Sequence, residues 1–121
     1  MMQGVVNQSC EAILPVVVKS STTTQLVDAI IDIGFSGFLT LPFNVIDALG
    51  LTWKGRDIAM GDGASCIFDV YIATVIWDGQ YQKIDTNESE TVPLIGMRLL
   101  RGYDLRIQTI EGGIVTIEAL E

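Results

Sequence analysis

Histidine is absent from the 121 residues, which excludes every mechanism that uses imidazole as a base or as a metal ligand. Cysteine occurs twice, at Cys10 and Cys66. Two scattered thiols cannot make a structural zinc site, and without a secretory leader they read as reduced thiols rather than a disulfide. Long apolar runs are also missing: no stretch reaches the roughly 18 uninterrupted apolar residues of a membrane span. The opening "MMQGVVNQSC" has neither the basic region nor the apolar segment of a leader. Basic residues are scarce, seven Lys and Arg against fifteen acids for a net charge of −8, a balance that repels phosphate backbones and anionic lipid. The expectation is a soluble, cytoplasmic chain with no nucleic-acid or membrane partner.

What is present suffices for folding. Apolar residues make up 49% and charged residues 18%, too much burial capacity for disorder, and the length fits a single domain over residues 1–121. Apolar spacing is mostly two or continuous and rich in Val, Ile and Thr, which predicts strands. "AILPVVVKS" and "TTQLVDAIIDI" read as a hairpin across the Ser and Thr cluster at 20–24, and "GFLTLP" as a further short strand. "NVIDALGL" places Val45, Ile46 and Leu49 on one helical face, with Asn44 as cap and Gly50 as stop. Two long strand patterns follow, folded at Gly61-Asp62-Gly63 and turned again at Asp78-Gly79. "DTNESET" reads as a polar surface loop. A short buried strand, a short helix from about Met97 to Arg101 and a hairpin about Glu111-Gly112-Gly113 complete an all-β chain with one or two short helices.

Within "AIIDIGFSGFLTLP" a single acid, Asp32, ends an apolar run and is followed at once by Gly34, Ser36 and Gly37. Read alone, the triplet is a turn in which Asp32 accepts hydrogen bonds from the amides of Gly34 onward. Two further features accompany it: a Gly-rich hairpin at "AMGDGAS", and "VPLIGMRLL", in which two apolar residues precede Gly96 and a helix follows it. Asp-X-Gly, hairpin and apolar-apolar-Gly, in this order over about Ala12 to Leu120, resemble the retropepsin-like aspartic proteases.

The resemblance implies a fold and a chemistry. The fold would be a closed β-barrel, an acid-protease half with a flap hairpin. Asp32 would be the catalytic carboxylate, Ile33 and Gly34 its loop, Leu94, Ile95 and Gly96 the strand passing beneath. Met60, Gly61, Asp62, Gly63 and Ala64 would form the flap tip, and with Ser36 they would contact a polypeptide substrate. Hydrolysis in this family needs two aspartates sharing one proton around one water. A chain with one such triplet supplies half, so a homodimer is implied, with Asp32 and its mate on the two-fold axis. No metal and no organic cofactor is implied.

The sequence departs from the family pattern at two positions. Phe35 stands where a small residue is usual, so the pocket need not have the viral shape. Ile33 stands where the family has Thr or Ser, whose hydroxyl ties the two loops together. A lost bond costs roughly 1 kcal/mol net, and a buried group left unpaired about 1 to 3 kcal/mol, twice by symmetry. Packing of the extra apolar surface returns roughly 0.8 kcal/mol per methylene. Three readings therefore stand: a homodimeric aspartic endopeptidase, a protein of that fold that dimerises or binds peptide with little or no proteolysis, and an unrelated small β-barrel binding protein.

Overall fold

The computed structural model describes residues 1–61 and 64–121. Its strands are β1 (Met2–Val6), β2 (Ala12–Lys19), β3 (Thr24–Ile31), β4 (Leu39–Leu41), β5 (Thr52–Gly61), β6 (Ala64–Trp77), β7 (Gln80–Glu88), β8 (Leu94–Ile95), β9 (Tyr103–Ile107) and β10 (Ile114–Ala119). Two short helices interrupt them, α1 (Phe43–Leu49) and α2 (Met97–Leu100). No helix among the described residues is long and apolar enough to cross a membrane.

Period-two alternation builds the core. Along β2 the buried residues are Ala12, Leu14, Val16 and Val18, one face of a pleated strand. Leu14, Val16 and Val18 pack with Val27 and Ala29 of β3, Leu39 and Leu41 of β4, Val75 and Trp77 of β6, and Ile95 of β8, while Ala12 packs with Val6 and Val115 in a smaller cluster. Helix α1 buries Ile46 and Leu49, three apart on one face. Gly50, at φ 64°, closes it by donating its amide to the Asp47 carbonyl, a left-handed cap that glycine adopts without strain. The helix starts one residue before Asn44. Pro42 precedes it, and its carbonyl accepts from the amides of Val45 and Ile46, so the expected Asn44 cap is not made.

The strands form one sheet in the order β5-β6-β7-β4-β8-β3-β2-β1-β10-β9, and β6 also pairs with β2. That extra pairing links six strands in a ring, but the ring is not a closed barrel. This corrects the expected closed barrel of an acid-protease half, and the small β-barrel binding protein falls with it. Barrel closure requires continuous staggered ladders around the whole circumference. Here β8 meets β3 and β4 at two residue pairs each, β6 meets β2 at three, and β5 and β9 remain as edges.

One local expectation also changes. "DTNESET" is not wholly loop, because β7 runs to Glu88 with Ile84 and Thr86 buried. The amino-terminal residues form β1 between β2 and β10, where a side chain at Gly4 would run into the Ile13 carbonyl oxygen. Trp77 is a packing residue, edge-on to Tyr103, but Trp53 is exposed and its indole donates to Asp69 at 3.1 Å. The Asp78-Gly79 turn is present, with both residues at positive φ, as a tight hairpin turn requires.

Candidate active site

The loop that carries Asp32 is placed by β8. Strand β3 pairs with β8 in parallel on one side and β4 pairs with it antiparallel on the other. The connection from Ile31 to Leu39 must therefore cross the end of β8. At the crossing the Asp32 amide donates to the Ile95 carbonyl at 2.9 Å. Just past the end of β8 comes buried Gly96, whose amide donates to the Phe38 carbonyl at 3.0 Å, followed by Met97 to Phe35 at 2.8 Å and Arg98 to Gly37 at 3.1 Å. A Cβ on Gly96 would overlap the Gly37 carbonyl oxygen and lie 2.6 Å from the Phe35 ring. Only glycine lets the two segments approach this closely.

The loop presents one half-engaged carboxylate. Asp32 Oδ1 accepts the Gly34 amide at 2.9 Å, and the Asp32 carbonyl accepts the Phe35 amide at 3.1 Å. Oδ2 has no hydrogen-bond partner among the described residues, so it is available to a water or a proton. Asp32 is half-buried, while Ile33 beside it is 68% exposed. Ser36 is exposed and its hydroxyl makes no hydrogen bond among the described residues. Leu94 is half-buried; Ile95 and Gly96 are buried. Asp62 and Gly63 lie outside the described residues, and of Met60, Gly61 and Ala64 the strand pairing alone is described, Met60 with Ser65 and Gly61 with Ala64.

A cleft of about 570 Å³ separates this loop from the β5–β6 hairpin. Gly34, Phe35 and Ser36 line one wall; Asp57, Ile58 and Phe68 line the other. Asp32 is not among the lining residues: the wall begins two positions after it. Arg98 closes one side, its guanidinium 5.9 Å from the centre of the Phe38 ring, a cation–π distance. The sequence singled out Ser36 and Gly34 of this wall but missed Asp57, Phe68, Asp85 and Asn87. The alternation of Ile84 and Thr86 inward with Asp85 and Asn87 outward was the available signal for the last two.

The electrostatics of the hairpin side are set by acids. Lys54 pairs with Asp85 at 2.8 Å and Arg56 with Asp69 at 3.4 Å, both exposed enough to contribute little to stability. Tyr71, in the same sheet, has its phenol pushed above the usual tyrosine range, first by burial and then by the charges of Glu88 and Asp69. The Tyr103 phenol, in β9, is raised by burial and by Asp78.

No family model matches the chain, and no curated protein matches it.

Proposed function

We propose that the chain is one half of an aspartic endopeptidase of the kind used by retropepsin-like proteases, acting as a homodimer on polypeptides. The observation that carries this reading is the Asp32 carboxylate, held at one oxygen by the Gly34 amide and without a partner at the other among the described residues, on a loop clamped over Gly96 beside a cleft. A single carboxylate cannot both deprotonate a water and protonate a carbonyl at one instant. Two copies of Asp32 can. One, ionised, takes a proton from a water held between them; the hydroxide oxygen bonds to the scissile carbonyl carbon while the other, protonated, gives its proton to the carbonyl oxygen. Collapse of that tetrahedral intermediate breaks the C–N bond, the first Asp32 giving the proton it took from water to the leaving amine while the second recovers a proton from the intermediate's hydroxyl. Ile33, 68% exposed next to the acid, is the surface the second chain would cover.

A reducing compartment such as the cytoplasm suits the chain, since Cys10 and Cys66 are both free and exposed.

The test combines sedimentation with incubation of an unstructured polypeptide at mildly acid pH. A dimer with steady turnover is expected. A dimer that binds the polypeptide and returns it intact favours instead a peptide-binding module, the reading that Ile33 keeps open. A monomer at micromolar concentration removes the shared-water mechanism.

Ile33→Thr is expected to tighten the dimer or to raise the cleavage rate, by up to about a hundredfold if Ile33 holds the two carboxylates about 1 Å from their productive spacing. Sedimentation equilibrium and kcat/KM measured side by side check it; both unchanged would place the contact between chains elsewhere.

A further inference from the structure

The cleft beside the Asp32 loop does not end at the hairpin. A second cleft of about 570 Å³ shares Ala59, Phe68 and Asn87 with the first and continues to the segment Ser89–Thr91. Its ionisable groups are unevenly distributed: Asp69, Glu88 and Glu90 line it together with the Cys66 thiol, and no Lys or Arg does. Asp69 is occupied by Arg56 and by the Trp53 indole. Glu88 and Glu90 make no ion pair among the described residues. Beneath them lies Thr40, 6% exposed and part of the same wall. Its Oγ accepts the Leu94 amide at 3.0 Å, and its own hydroxyl proton has no acceptor among the described residues. The oxygen thus has one partner, and the hydroxyl proton is left for a further acceptor, such as a main-chain carbonyl of an extended chain in the groove.

We propose that this groove selects polypeptides bearing basic side chains, placing a lysine or arginine of the substrate against Glu88 and Glu90 while a neighbouring main-chain carbonyl accepts from Thr40. The inference rests on reading the cleft as the place where a polypeptide is held for cleavage, and it names the class of polypeptide. Attraction to a groove with two carboxylates that make no ion pair among the described residues adds to the general attraction of an acidic surface for a cationic chain. Tyr71, whose phenolic proton is retained partly by Glu88 and Asp69, lies in the same negative field.

Two fluorescein-labelled peptides of equal length and apolar sequence, one with paired lysines and one with paired glutamates, are titrated against the intact protein by anisotropy and then recovered for mass analysis. The lysine peptide is expected to bind about tenfold tighter at low ionic strength, with the preference shrinking as salt is added. Glu88→Gln/Glu90→Gln is expected to reduce that preference to about twofold or less, while Glu118→Gln/Glu121→Gln, which removes the same charge elsewhere, keeps it. Equal binding of the two peptides, or an equal loss in both double variants, overturns the inference. Because binding is read before cleavage, the two readings separate. A lysine preference with the peptide intact keeps the selectivity and removes hydrolysis; cleavage of both peptides without preference does the reverse.

Discussion

Asp32→Asn is expected to leave the protein folded and to abolish the proposed cleavage. The amide keeps an oxygen where Oδ1 now accepts the Gly34 amide at 2.9 Å, so the turn retains its hydrogen bond and the stability change stays within about 0.5 kcal/mol. What disappears is the carboxylate that would take a proton from water. The proton-transfer contribution lost with it is on the order of 10²- to 10⁴-fold, and in a homodimer the substitution removes both acids together. Asp32→Ala separates the two roles of the side chain. It also loses the bond to Gly34, at a net cost of roughly 0.5 to 1.5 kcal/mol, so it should be less stable than Asp32→Asn and equally inactive. Thermal unfolding beside a cleavage assay of the three proteins reads both effects. Cleavage that survives in Asp32→Asn would return Asp32 to the role of a turn residue.

That turn role was legible in the sequence, because a short acceptor two residues before a glycine has few local alternatives. So was the meeting of "LIG" with the loop, carried by the resemblance and visible in the hydrogen bonds of residues 95–98. Strands β2, β3, β9 and β10 announced themselves through alternation and turn residues. Closure did not. Whether six strands form a barrel depends on how many residue pairs join β8 and β4, elements of two and three residues, and side-chain periodicity carries no count of those pairs. The polar run after Ile84 misled for a related reason. Thr86 is fully buried between Leu39 and Tyr71, whereas Asp85 and Asn87 on the opposite face line a water-accessible cleft. A strand with a solvated cleft on one face therefore has the composition of a loop. Asp57 and Phe68 were missed because their importance comes from the cleft opposite the loop, a long-range relation that no local spacing encodes.

Gly96→Ala is expected to damage both fold and site, and more than any other single methyl added to the loop. The new Cβ would overlap the Gly37 carbonyl oxygen and lie 2.8 Å from the Phe35 carbonyl oxygen; both are backbone atoms that cannot rotate away. Either α2 backs off, stretching the bonds from Gly96, Met97 and Arg98 to the loop carbonyls, or the loop moves as a unit. Overpacking of this kind, with weakened hydrogen bonds, costs about 3 kcal/mol, which for a chain of this size lowers Tm by roughly 10 °C. The effect reaches the acid through Ile95, whose carbonyl holds the Asp32 amide at 2.9 Å one residue before the substitution. A shift of about 1 Å there would reduce cleavage about a hundredfold. Two other alanines calibrate the result. At Gly34 the added Cβ meets only Asp32 Oδ1, at 3.2 Å, and at Gly55 it meets nothing within 4 Å. Gly55→Ala should therefore leave Tm and rate nearly unchanged, with Gly34→Ala intermediate. If Gly96→Ala melts with Gly55→Ala and cuts as fast, the loop is not clamped by β8, and the carboxylate that loop presents is not held in place for chemistry.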